Sequence, residues 1–213
     1  MSSNWLTYDE ISNQLNISSN IVKIELKEIK KLKIEVIKLK LIGIAGDSGV
    51  GKSTLALRLS KKLDCPFLDI DKVILSSEYL NTETKTPQTF KMKSEYFNLL
   101  IDNLKNTESP ISNLINSLVE QEISKISKEN KTIIVEWMLL PYLKVWQDCT
   151  TKILINANDL LRRNAAIKNK LITEEQFDDC VSVARIGYSK FDYDYIFENN
   201  YDEESLENIL DKF

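Results

Sequence analysis

Four of the five glycines in the chain, Gly43, Gly46, Gly49 and Gly51, fall within nine residues, and the fifth is Gly187. A sequence that scarcely uses glycine has concentrated it where backbone must turn tightly or approach a ligand closely. Residues Gly46 to Ser53 read G-D-S-G-V-G-K-S, which fits the Walker A pattern G-x-x-x-x-G-K-[ST] without a gap. Before it, Leu39 to Ala45 is an apolar run of strand length; after it, Ser53 to Lys62 carries Leu55 and Leu59 at helical spacing, continued by Leu63. Strand, glycine loop and helix in this order point successive N–H groups into one concavity before a helix N-terminus, which holds phosphate oxygens with few charged side chains. The expected cradle for ATP is Gly46, Asp47, Ser48, Gly49, Val50, Gly51, Lys52, Ser53 and Thr54. Within it Lys52 is the catalytic cation for the β- and γ-phosphates, and the Ser53 hydroxyl ligates Mg²⁺. The bland alternative is an ordinary glycine-rich turn. A guanine-reading N-K-x-D is absent from the sequence.

The rest of the chain continues the alternation. Pro66 to Ile70, Lys131 to Glu136, Lys152 to Asn156 and Tyr195 to Phe197 read as further strands. Helical patterns cover roughly Ser94 to Lys105, Pro110 to Lys128, Asp159 to Lys170, Thr173 to Ser189 and Glu203 to Lys212. Strands alternating with helices predict a parallel five-stranded sheet covered on both faces, the three-layer α/β/α architecture of P-loop NTPases. Ser76 to Thr89 is polar and aperiodic, and is expected to be a mobile segment near the substrate.

Residues 1–38 differ from 39–213 and are read as a separate helical extension. Thr7 to Leu15, a turn at Asn16 to Ser18, and Ser19 to Leu32 resemble a helix-turn-helix unit, with Ile11, Leu15, Ile17 and Val22 inward. The first reading is an appendage packing on the main domain or on another subunit; DNA contact through Lys23, Lys27, Lys30 and Lys31 is the second.

Composition narrows the chemistry. With 213 residues and 43% hydrophobic content, one good core and a small appendage can be buried. A net charge of −4 speaks against a generally basic, polyanion-coating surface. There is no histidine, and the three cysteines, Cys65, Cys149 and Cys180, form no CxxC pair, so zinc sites and histidine acid–base chemistry are excluded. Sparse cysteines and the lack of a spanning apolar run lead to the expectation of a soluble cytoplasmic protein with no membrane partner.

On these residues the chain resembles the dephospho-coenzyme A kinase family and, more broadly, uridine kinase-like nucleoside kinases, over about residues 40–213. Ala45 to Ser53 keeps the spacing of T-G-G-I-G-S-G-K-S, with Asp47-Ser48 closer to the uridine-kinase style. Phe67 to Lys72 resembles V-I-D-A-D-K, and Val135 to Leu140 resembles V-E-x-P-L-L with Met138 in place of proline. Ser109-Pro110-Ile111 falls where the family has His-Pro-Ile, and Tyr193 to Asn199 resembles the closing A-D-x-V-I-x-N.

The resemblance implies phosphoryl transfer from ATP to a hydroxyl, with dephospho-coenzyme A as the first acceptor and a nucleoside as the second. Asp71 is then the general base at the edge of the second strand, its rival role being a helix N-cap. Glu136, ending a buried strand, is expected to meet a water on Mg²⁺ or a salt-bridge partner. The family's lid begins where Arg163 and Arg162 stand, and charge on the migrating group is expected from Arg163 first, then Arg162. Lys168 or Asn169 takes the place of a further lid arginine. Arg58 is expected to face solvent or an acid, and Arg185 to have no role in the site, its alternatives being to stack on adenine or bind the acceptor. Trp137, Tyr142 and Trp146 either line the acceptor site or are core. A different class, a nucleotide-gated DNA-binding regulator, also accommodates the extension and the thinned lid. Oligomeric state is not legible.

Overall fold

The computed structural model describes residues 39–77, 99–168, 177 and 187–213. Five strands form one parallel sheet: β1 Lys40–Gly46, β2 Phe67–Asp69, β3 Thr132–Glu136, β4 Thr151–Asn156 and β5 Tyr195–Glu198. Their spatial order is β2-β3-β1-β4-β5. The helices that accompany them are α1 Lys52–Leu63, α2 Ile70–Ser76, α3 Pro110–Ile126, α4 Val145–Asp148, α5 Asp159–Lys168 and α6 Glu203–Leu210.

Central β1 shows why apolar runs become strands. Leu41 and Ala45 belong to one hydrophobic cluster and Ile42 and Ile44 to another, because successive side chains leave opposite faces. The neighbours obey the same period: Ile133, Val135 and Leu154 join the first cluster, and Ile134, Ile153 and Ile155 the second. Val73 and Ile74 of α2, Ile115 and Val119 of α3, and Leu100 and Leu104 of the helical stretch 99–105 cover the first face. Leu55 and Leu59 of α1 with Ile209 and Leu210 of α6 cover the second. Each fully buried Ile or Leu stabilises the fold by about 1.5–3 kcal/mol relative to exposure, so burial on both faces holds β1 firmly. The predicted three-layer α/β/α architecture is the observed one.

Departures from the sequence reading are local. β2 is shorter than expected because Ile70 already opens α2, whose N-cap is Asp69. α3 stops at Ile126, two residues early, and Lys52 rather than Ser53 begins α1. After β3 the chain makes a short 3₁₀ turn, Leu140–Tyr142, and then α4, neither of which was predicted. These turns fold Trp137 and Trp146 back into the core at 1% exposure each, so the core reading of those two aromatics is the one realised. Of the helix expected at 173–189, the described end is a 3₁₀ turn, Tyr188–Lys190. Residues 1–38, most of the segment expected to be mobile, Asn169 and Arg185 lie outside the described residues. Among the described residues no helix is long and apolar enough to cross a membrane.

In this order the chain leaves β1 toward β3 and β2 on one side and reaches β4 and β5 on the other. That switch opens a crevice outside the carboxyl ends of the strands, where open α/β sheets place ligands. Asp69, Glu136, Asn156 and Glu198 end β2 to β5, and the glycine loop follows β1.

Candidate phosphate-transfer site

Residues 46–51 turn from β1 into α1 through three glycines at positive φ: Gly46 at 148°, Gly49 at 80° and Gly51 at 99°. Gly51 is the N-cap of α1 and no side chain caps the helix, so its first-turn amides are not spent on a protein cap. A Cβ on Gly51 would stand 2.6 Å from the Asn199 amide nitrogen, so here glycine answers both a backbone conformation and a close approach.

The loop's carbonyls are tied one after another. Asp47 O accepts from Lys52 Nζ at 2.9 Å, Ser48 O from the Arg162 guanidinium at 3.4 Å, Gly49 O from the Tyr201 hydroxyl at 2.7 Å and Val50 O from Asn199 Nδ2 at 2.8 Å. Gly51 O takes the first helical bond, from Leu55 N at 3.0 Å. In a planar trans peptide the N–H points opposite to the C=O, so pinned carbonyls turn the amides that follow them the other way. That is the construction of an anion nest before a helix.

Lys52 stands at the mouth of this nest. Burial pushes its ammonium below the ordinary lysine range, against the pull of the Glu136, Asp71, Asp47 and Asp69 carboxylates. Glu136 is 4% exposed, and burial raises its carboxyl above the usual range despite Lys52 and the hydroxyl of Ser53. Ser53 Oγ donates to Glu136 Oε1 at 2.6 Å. Among the described residues no three acidic or sulfur side chains converge as a metal cage. One hydroxyl beside one carboxylate is instead the donor set of an Mg²⁺ that keeps waters and phosphate oxygens as its other ligands. The residues present therefore fit Mg-nucleotide.

Asp71 is exposed and sits in the first turn of α2; because Asp69 caps that helix, the capping role considered for Asp71 is taken. Its Oδ1 accepts from the indole Nε1 of Trp137 at 2.7 Å, which joins the ends of β2 and β3. Of the two candidate arginines, Arg162 lies against the loop at 2% exposure. It reaches Asp47 at 3.3 Å and Asp159 at 3.0 Å, with its guanidinium carbon 5.2 Å from the Phe177 ring centre. Among the described residues Arg162 Nε and Asp47 Oδ1 are buried without hydrogen-bond partners, and burial raises the Asp47 carboxyl. Arg163 is partly exposed one residue along α5, a step of about 100° around a helix of 3.6 residues per turn. The structure thus brings Lys52, Ser53, Glu136 and Arg162 around the loop and sets Asp71 at the adjoining strand edge. Arg58 meets an acid, Glu203, at 2.7 Å on α6.

Sequence reasoning gave no role to Asn199 or Tyr201, nor to the Trp137 indole. Asn199 closes the A-D-x-V-I-x-N-like stretch, which was its only signal; Tyr201 had none. A surface depression of about 450 Å³ between β5 and α6, lined by Phe197, Asn200, Ser205 and Asn208 among others, includes no predicted site residue.

A family model described as AAA domain matches residues 42–165. No curated protein matches the chain. Among solved structures, TT1252 from Thermus thermophilus aligns with a TM-score of 0.59 at 20% identity, over 82% of this chain and 96% of that one. Shikimate kinase from Bacteroides thetaiotaomicron aligns with a TM-score of 0.50 at 15% identity, over 81% of this chain and 95% of the other. At such identities the likeness is one of fold.

Proposed function

The chain belongs to the AAA domain family, and from that premise we propose that it is an ATP-dependent small-molecule kinase moving the γ-phosphoryl group of Mg-ATP to a hydroxyl acceptor. The observation that carries this reading is the Ser53 hydroxyl 2.6 Å from the buried Glu136 carboxylate, beside the Lys52 ammonium and in front of the nest. Nucleotide binding alone asks for the nest and the lysine; the Glu136 carboxylate ending β3 and Asp71, in the first turn of the helix that follows β2, supply what transfer requires in addition.

The roles divide by position. The amides of Gly46 to Thr54 and the Lys52 ammonium hold the phosphates. Ser53 and Glu136 would hold Mg²⁺, which when bound supplies charge neutralisation at the phosphate oxygens. Arg162, with Arg163 as the second candidate, stabilises charge on the migrating group. Asp71 takes the proton of the acceptor hydroxyl as its oxygen bonds to the γ-phosphorus and the bond to the β-phosphate oxygen breaks, releasing ADP.

Dephospho-coenzyme A is the first acceptor on motif order, and a nucleoside-type hydroxyl is the second, favoured by Asp47-Ser48 in the loop. A nucleotide-gated regulator acting through a helical extension at 1–38 is the reading from another class. The proposed setting is the cytoplasm, without a membrane partner. The test is ADP release in Mg-ATP with dephospho-coenzyme A, nucleosides and related alcohols as acceptors. Dephospho-coenzyme A is expected to stimulate release most; if no acceptor raises it above the buffer rate, the kinase reading fails, and ATP-dependent DNA affinity would then select the regulator.

Glu136→Gln keeps the size of the side chain and an acceptor for Ser53 while removing the charge. It is expected to raise the Mg²⁺ concentration for half-maximal turnover by about 10–100-fold, the range typical when a metal site is deprived of a partner. An unchanged Mg²⁺ titration would take Glu136 out of the metal site.

A further inference from the structure

The turn that follows β5 is fastened at both ends. Asn199 N donates to Asn156 O at 2.8 Å at the end of β4, and Asp202 caps α6 by accepting from Ser205 N at 2.7 Å. Between them Tyr201 adopts a left-handed conformation, φ 60°, which a residue with a large side chain seldom takes without a local reason. The reason is visible on both sides of the residue: its amide donates to Asn199 Oδ1 at 2.8 Å and its hydroxyl reaches Gly49 O at 2.7 Å. Asn199 works in two directions at once, because its Nδ2 donates to Val50 O at 2.8 Å.

From this frame two side chains therefore grip consecutive carbonyls of the glycine loop, roughly 150 residues earlier in the chain. The grip is close, since the Asn199 amide fills the space a Cβ of residue 51 would need. It is also constant over ordinary assay pH, because burial pushes the Tyr201 phenol up to about 12 and keeps it a donor. By peptide planarity, holding the Val50 carbonyl turns the Gly51 amide the opposite way, while the Val50 amide that follows the held Gly49 carbonyl donates within the loop to Asp47 O at 3.4 Å.

We infer that Asn199 and Tyr201 are positioning residues of the nucleotide site, which makes the turn after β5 part of the ATP-binding machinery although neither side chain need touch the phosphates. The inference rests on the loop being the triphosphate cradle, not on which acceptor is used. A brace of this kind acts on nucleotide affinity and leaves acceptor affinity alone, whereas a merely structural contact would move thermal stability and nothing else selectively.

The test is ATP binding to the full-length chain in Mg²⁺, by calorimetric titration, for wild type, Tyr201→Phe and Asn199→Asp, with melting temperatures taken alongside. Tyr201→Phe removes one hydroxyl and is the mild variant; its ATP dissociation constant is expected to rise about three- to tenfold, the size of one net hydrogen bond. Asn199→Asp keeps the acceptor for Tyr201 N but sets a carboxylate against Val50 O, and is expected to lose on the order of tenfold or more. Where turnover is measurable, the KM for ATP rises while that for the acceptor stays within about twofold. Folded variants that bind ATP like wild type, or that lose ATP and acceptor affinity equally, overturn the inference. Because the binding arm needs no acceptor, failure to find a phosphorylated product would sink the kinase reading and leave this one standing.

Discussion

Lys52→Ala is expected to lower turnover by about 10²–10³-fold while leaving the fold in place. The size follows from removing a preorganised cation at the point where phosphate charge develops. Its ammonium also offsets Glu136, Asp71, Asp47 and Asp69, all of which act on it electrostatically. Without it, a nucleotide triphosphate would enter a site ringed by carboxylates, so ATP affinity falls as well. Stability should be spared for two reasons. Lys52 is the first residue of α1, where a cation opposes the helix dipole and alanine is the better helix former. Among the described residues the substitution also removes one hydrogen bond, from Lys52 Nζ to Asp47 O, worth about 1 kcal/mol net. ADP release and thermal unfolding measured on the same preparation check both halves. Turnover within a few-fold of wild type would remove the glycine loop from the chemistry.

The sheet was legible because its strands are buried on both faces and so read as continuous apolar runs, as Leu41 to Ala45 and Ile133 to Val135 do. The weak point was β2, where Ile70 is apolar enough for a strand end but begins a helix once Asp69 caps it. The glycine loop was legible because backbone that must take positive φ leaves a residue-type signature at Gly46, Gly49 and Gly51. Which of Arg162 and Arg163 lies against the loop was not, because that depends on the rotational phase of α5, which one turn of sequence does not encode. The hydrogen bonds from Asn199 and Tyr201 were hidden for another reason. A side chain bonded to a backbone carbonyl places no demand on the identity of its partner, so nothing at Val50 or Gly49 announces it. Trp137 read either as core or as acceptor lining, and it is core; its indole N–H is a second role invisible in any apolar pattern.

Asp71→Asn is expected to reduce kcat by about 10²–10⁴-fold, the usual range for a positioned general base, with ATP affinity changed no more than about twofold. Asparagine preserves the shape and can still accept the indole hydrogen bond, but it cannot take a proton from the acceptor. Capping gives no alternative explanation, since Asp69 caps α2. The Trp137 indole holds Asp71 Oδ1 at 2.7 Å, so Trp137→Phe, which keeps an aromatic ring in the core, should lower kcat about five- to tenfold by releasing the carboxylate from its set position. The two substitutions should not multiply. If Trp137 acts through Asp71, adding Trp137→Phe to Asp71→Asn costs little more, whereas a general loosening of the core would lower both backgrounds by the same factor. Single-turnover rates for the four proteins of this cycle, at saturating Mg-ATP, separate the cases. Near-normal turnover in Asp71→Asn would strip the residue of the base role and leave the Trp137 hydrogen bond as a link between the ends of β2 and β3.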